Sequence, residues 1–237
     1  MNTVKIAAIH VIGLLLASSA CADQLGGFAG RTVNVEDSRG TSIEAFYKSF
    51  EGTAIGVRAS YRYNENIIVF GDYAKTEADF EDGFSADGLS FGAGLLYLQP
   101  DLIEGYDAAI KVSYHTGNLS NDSVSFAAAS LFSVDVDTME LAAQLIISSQ
   151  ETLTESGLKW YAGLGAHQLK TEGSIGPVDG GNTTINNVSF PVDLGSSSTE
   201  FGFSAGLVYP LSFGQAFAAY ENIDGGIFGG GIRYYLK

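Results

Sequence analysis

The sequence predicts an all-β protein: a single up-and-down antiparallel transmembrane β-barrel of ten strands, with eight strands as the alternative. Three observations carry this expectation. Many segments alternate apolar and polar residues with period two, the signature of strands with unlike faces. Short and long connections alternate between those segments. Charged residues make up only 16% of a chain with 30 glycines and 12% aromatics. A soluble domain carries about a quarter charged residues, so this composition suits an outer wall that faces something other than water.

The clearest segment is 53–63. Ile55, Val57, Ala59, Tyr61 and Tyr63 form one set, and Gly56, Arg58, Ser60 and Arg62 form the other. A strand with one face to lipid and one to a polar lumen reads this way. Segment 67–76 sets Val69 and Tyr73 against Phe70 and Asp72. Segment 88–97 sets Leu89, Phe91 and Leu95 against Ser90, Gly92 and Gly94. The same alternation runs through 106–115, 139–147, 158–167, 199–209 and 228–236, while 213–220 has no clear facing. Each of these nine is near the ~9–11 residues that cross a bilayer when tilted. A tenth must precede Gly52; residues 25–35 are preferred over residues 43–50.

Tight joints fall at 64–66, 99–105, 148–156 and 210–212, and longer or more polar ones at 76–86, 116–132 and 171–198. Up-and-down membrane barrels alternate in this way, with short periplasmic turns and longer outer loops. The last joint, 222–226, is short and breaks the trend. Tyr61, Tyr63, Tyr97, Tyr209, Tyr234 and Tyr235 fall near the short-turn ends, where an interfacial aromatic girdle is expected.

The N-terminus is expected to be a signal peptide over residues 1–22, with the barrel domain over 23–237. Lys5 is the charged region, 6–16 is apolar apart from His10, and Ala20-Cys21-Ala22 is an A-x-A cleavage site. A lipoprotein signal acylated at Cys21 is the competing reading; Ser18 stands where such a signal carries a large aliphatic residue. Cleavage after Ala22 removes the only cysteine, leaving the fold to its ladder and packing. The formal net charge of −15 argues against a nucleic-acid partner.

The inward sets converge on a lumen lined by Arg58, Arg62, Asp72, Asp107, Lys111, Glu140, Lys159, Glu200 and Arg233, with His115 and His167 among them. Ten strands enclose little more than the eight-strand interior that side chains fill, and an unpaired buried ion costs several kcal/mol. A filled, ion-paired interior is therefore favoured over a narrow polar pore. Inward Gly92, Gly94, Gly163, Gly165, Gly202 and Gly206 leave some room and keep the pore open as a reading. An outer-membrane lipid enzyme needs a nucleophile and base at the membrane edge. Only His115 and His167, among abundant serines that include Ser113 and Ser174, offer one, and no G-x-S-x-G elbow is present, so no catalytic residue is assigned. The histidines lie far apart and no glycine cluster precedes a helix, so neither a metal nor a cofactor is expected.

Gly56-Val57-Arg58-Ala59-Ser60-Tyr61-Arg62-Tyr63, Ile68-Val69-Phe70-Gly71-Asp72-Tyr73 and Gly92-Ala93-Gly94-Leu95-Leu96-Tyr97 resemble the strand phrasing of small Gram-negative outer-membrane β-barrel proteins, the OmpA-like and porin-like barrels. The resemblance runs from Gly52 to the C-terminus. It implies a place in the cell outer membrane, contact with its lipid, and assembly by the barrel-insertion machinery. One departure is the terminal Tyr234-Tyr235-Leu236-Lys237, where such proteins end in an aromatic residue. The expected role is structural or surface-interacting and non-enzymatic, with outer loops meeting surface ligands. A narrow porin-like channel for small solutes is the alternative, and a lipid-modifying enzyme the third reading.

Overall fold

Inward and outward residues alternate along nearly every strand, and closure of the sheet leaves one face to each environment. The computed structural model describes residues 40–236, apart from 51, 80–84, 127–129, 178–182, 186–187, 191 and 224. The expected export signal and the preferred first-strand segment, 25–35, lie outside the described residues.

The strands are β1 (Thr41–Phe50), β2 (Gly52–Arg62), β3 (Ile67–Asp79), β4 (Ser85–Ile103), β5 (Tyr106–Phe126), β6 (Ser130–Ser149), β7 (Lys159–Pro177), β8 (Thr183–Ile185), β9 (Val188–Phe190), β10 (Val192–Leu211), β11 (Gly214–Asn222) and β12 (Gly226–Leu236). Ten of them close a barrel in the order β1-β12-β11-β10-β7-β6-β5-β4-β3-β2, and β8 and β9 form a separate hairpin. Every pairing is antiparallel. The barrel is thus the up-and-down type that the alternation predicts.

The first strand corrects the preference for 25–35. β1 covers the second candidate, and its Thr41 pairs with both Leu236 and Tyr61. Ile43, Ala45 and Tyr47 alternate with buried Glu44, Phe46 and Lys48. Inward Glu44 and Lys48 against outward Ile43, Ala45 and Tyr47 repeat the two-faced alternation of β2.

The expected long loops are corrected as well. β5 and β6 run through most of 116–132, and β7 and β10 occupy much of 171–198. β4 to β7 and β10 are 19 to 21 residues long, whereas β1, β2, β11 and β12 have 9 to 11. The wall is therefore tall on one side and low on the other.

The outward face shows where lipid stops. On β4, Leu89, Phe91, Ala93, Leu95 and Tyr97 point outward, followed on the tall side by Asp87. On β5 and β6 the change falls between Tyr114 and Thr116 and between Met139 and Asp137. Beyond it the outward residues are Asn118, Asp135, Gln168, Lys170 and Glu172. The outward apolar run of β4, from Leu89 to Tyr97, has the length of a strand that crosses a bilayer when tilted. Above it the tall wall stands as a polar-faced sheet. The aromatic expectation holds on the outside for Tyr61, Tyr63, Tyr97, Tyr209 and Tyr234, all at least 43% exposed. Tyr235 instead faces inward, opposite Ser42.

Candidate functional site

One register row crosses eight strands of the barrel interior. In order it is Gln215, Arg233, Glu44, Arg58, Asp72, Gly92, His115 and Glu140, each directly opposite the next. Opposite charges on facing positions attract across strands, and here the sign alternates from Arg233 to Asp72. Glu44, Arg58, Asp72, Lys111, His115, Glu140, His167 and Arg233 each keep at most 7% of their surface exposed. Charges buried this far need good geometry to offset their desolvation.

The geometry supplies it. Arg233 donates from Nε (3.0 Å) and Nη2 (2.7 Å) to Glu44 Oε2, and from Nη1 to Gln215 Oε1 at 2.8 Å. Arg58 donates from Nε (3.0 Å) and Nη2 (2.5 Å) to Asp72 Oδ2. The other oxygen of Asp72 lies 3.2 Å from His115 Nε2. His167 Nδ1 sits 2.7 Å from Glu140 Oε1, and its Nε2 lies 3.1 Å from Gln144 Nε2. An amide nitrogen can only donate, so this network assigns the proton to His167 Nδ1, which donates to Glu140. Phe70 lies beneath two cations, 4.3 Å from the Arg58 guanidinium carbon and 5.8 Å from Lys111 Nζ. Such contacts add cation–π attraction where water is excluded.

The inward glycines do not open a channel. The position a Cβ would take on Gly92 is met by the His115 ring and Asp72 Oδ1; on Gly94, by Phe70; on Gly165, by Gln144; on Gly206, by Tyr161. Gly163 faces Ser204 and Gly202 faces Ile223 in the same way. Each glycine gives its space to a larger neighbour, as close packing demands.

Three of the other expected lining residues, Arg62, Asp107 and Lys159, lie near the short-turn end. Arg62 sits at the short-turn end of β2 and donates to the backbone carbonyls of Asn64 (3.1 Å) and Glu65 (2.5 Å). Asp107 is buried at the same end, where its Oδ1 accepts from Asp101 N at 3.1 Å and Gln150 Nε2 at 2.7 Å. Gln150 also donates to Asp101 Oδ1 at 2.5 Å, tying two short turns together. Lys159 is half-buried near the short-turn end of β7, whereas Glu200 is half-buried on the inward face of β10, directly opposite His167. Sequence reasoning set Gln144 and Tyr161 on inward faces without giving them a role, and missed Glu44, Lys48, Gln215 and Glu221, all buried. Glu44 and Lys48 lay in the segment passed over for the first strand, and Gln215 and Glu221 in or beside the segment with no clear facing.

The chain matches no family model, and no characterised protein matches it in sequence. Solved structures do match in fold. The outer membrane protease OmpT from Escherichia coli is 8% identical, with a TM-score of 0.51, 83% of this chain covered and 94% of that one. The translocator domain of autotransporter NalP from Neisseria meningitidis is 16% identical, with a TM-score of 0.49 and 98% of each chain covered. Ail, the attachment invasion locus protein of Yersinia pestis, is 16% identical, with a TM-score of 0.31, 82% of this chain covered and 96% of that one. Identities this low bear on fold alone. The chain has the fold of the outer-membrane β-barrel proteins.

Proposed function

We propose that this chain is a non-enzymatic outer-membrane barrel of a Gram-negative cell, sealed through its lumen, whose tall wall meets the surroundings. The observation that carries this reading is the ion-paired row from Gln215 to Glu140, continued to His167 and Gln144. Opening a path would expose or break several buried pairs at once, at several kcal/mol each. The even strand number puts both strand termini at the short-turn end, the periplasmic end in up-and-down barrels. That orientation sends the tall sheet outward, where its polar face is available to surface ligands. In this reading the chain sits in outer-membrane lipid and reaches it through the barrel-assembly machinery.

The porin-like alternative needs the same row to part. The lipid-enzyme alternative needs a base at the membrane edge, whereas His115 and His167 are 1% and 2% exposed and held against carboxylates inside. Liposome swelling tests the reading. Refolded protein should leave vesicles as impermeable to a small sugar as protein-free vesicles. Swelling at rates that rise with protein content would replace it with the pore.

A further inference from the structure

An open apolar groove lies on the outward face of the wall, and we propose that it binds a single acyl chain of a periplasmic-leaflet phospholipid. The proposal rests on the membrane placement argued above. The groove has a volume of about 440 Å³ and crosses β7, β10, β11 and β12 on the outward face. Its floor is Ala162, Ala205 and Ala218 with Gly206, and its sides include Trp160, Leu207, Tyr220 and Phe228. Register explains the shape. Trp160, Leu207 and Ala218 stand in one row, and Ala162, Ala205, Tyr220 and Phe228 in the next. Small residues thus line up across adjacent strands while large rings bound them.

The rings are braced. Tyr220 packs between Phe203 (centroids 5.7 Å apart) and Phe228 (4.5 Å), and Trp160 meets Tyr106 edge-on at 5.9 Å. Gly206 keeps the floor thin, because the Tyr161 ring occupies the space behind it. Elsewhere in the belt, Ile55, Phe91, Leu95, Ile110 and Leu145 stand out from the wall.

Three features choose the occupant. The groove is continuous with the apolar belt, so the medium beside it is hydrocarbon rather than water. It extends over about three inter-strand spacings, on the order of 14 Å, which suits a chain and not a compact headgroup. The floor lies below the rings; a second convex barrel touches such a wall along its crests, whereas a flexible chain reaches the floor. Trp160, one residue from the short-turn start of β7, marks the entry and assigns the chain to the periplasmic leaflet.

Trp160 is the only tryptophan in the chain, so the wall of the groove reports its own occupancy. The barrel is refolded into phosphatidylethanolamine–phosphatidylglycerol vesicles doped with a phospholipid brominated on its acyl chain, and Trp160 quenching is followed against dopant fraction. Ala205→Leu and Ala218→Leu fill the floor from the exposed face; Ala93→Leu adds the same bulk on the lipid face of β4. The proposal expects half-maximal quenching at a dopant fraction at least fivefold lower in the wild type and Ala93→Leu than in the two filled variants. Mass spectrometry of detergent-extracted barrel should show one retained phospholipid in the first pair and none in the second. Identical curves for all four proteins overturn it, as does a lipid-free dimer that the filled variants abolish. Heat-modifiable migration confirms that each variant is inserted, and a conducting but groove-occupied barrel would overturn the sealed-lumen reading while leaving this one standing.

Discussion

His115 reaches Asp72 across a glycine. Gly92 stands between them in the register row, and the His115 ring passes through the space a Cβ on Gly92 would take, bringing Nε2 to 3.2 Å from Asp72 Oδ1. The seal between β3 and β5 therefore depends on a residue with no side chain.

Substituting Gly92→Ala should destabilise the barrel by about 1–3 kcal/mol, the usual cost of overpacking. The sign is diagnostic, because alanine at an unobstructed strand position raises stability by roughly 0.5–1 kcal/mol relative to glycine. Gly71, whose added Cβ would meet nothing closer than 3.6 Å, is the comparator. Urea titration of the refolded barrel should move the two midpoints in opposite directions.

Removing one member of a buried pair leaves the other charge stranded. Arg58→Ala should cost about 3–5 kcal/mol. Arg58→Met combined with Asp72→Leu should recover more than half of that loss, since no ion is then left at either site. A double variant no more stable than the single one would show that the pair carries little of the lumen's energetics.

Val112 lies in the middle of the outward belt of β5, between Ile110 and Tyr114, and is 40% exposed. Val112→Arg should destabilise the inserted barrel by about 2–4 kcal/mol, the cost of a cation at mid-bilayer depth. Asp137→Arg, on the outward face above the belt, should change stability by less than about 0.5 kcal/mol. Equal effects at the two sites would contradict the position of the belt.

The tall wall should be dispensable for folding. Leu119 and Val136 are direct register partners on β5 and β6, so an Asn-Gly turn can replace residues 120–135 and close a two-residue hairpin. The shortened chain should keep heat-modifiable migration on gels. Failure to fold would make the tall sheet part of the folding core.

The barrel was legible wherever lipid touches it. Between residues 53 and 63 and between 88 and 97, the two faces meet hydrocarbon and a packed interior, and the side chains alternate sharply. Above the belt the contrast inverts, with Leu119, Val134 and Val136 buried and Asn118, Asp135 and Asp137 facing outward. A strand with a polar outer face does not read as lipid-facing, and the segment reads as a loop. This is why β5, β6, β7 and β10 extend well beyond the expected segments. The lumen was legible by side for Arg58, Asp72, Lys111, Glu140 and Arg233, because facing follows from parity. Register was not: nothing in the linear order puts Glu44 opposite Arg233, 189 residues away, or tells that Gly92 yields its space to His115. Arg62 has the parity of a lining residue but lies at the strand end, where backbone carbonyls of the turn are nearer than the lumen.

Single-channel recording tests the central claim most directly. Wild-type barrel inserted in a planar bilayer in concentrated salt should give a flat current, while a variant with Arg58→Ala and Arg233→Ala, which breaks two buried pairs of the row, should show discrete openings or unstable flicker. Regular, long-lived conductance steps from the wild-type protein would contradict the sealed lumen.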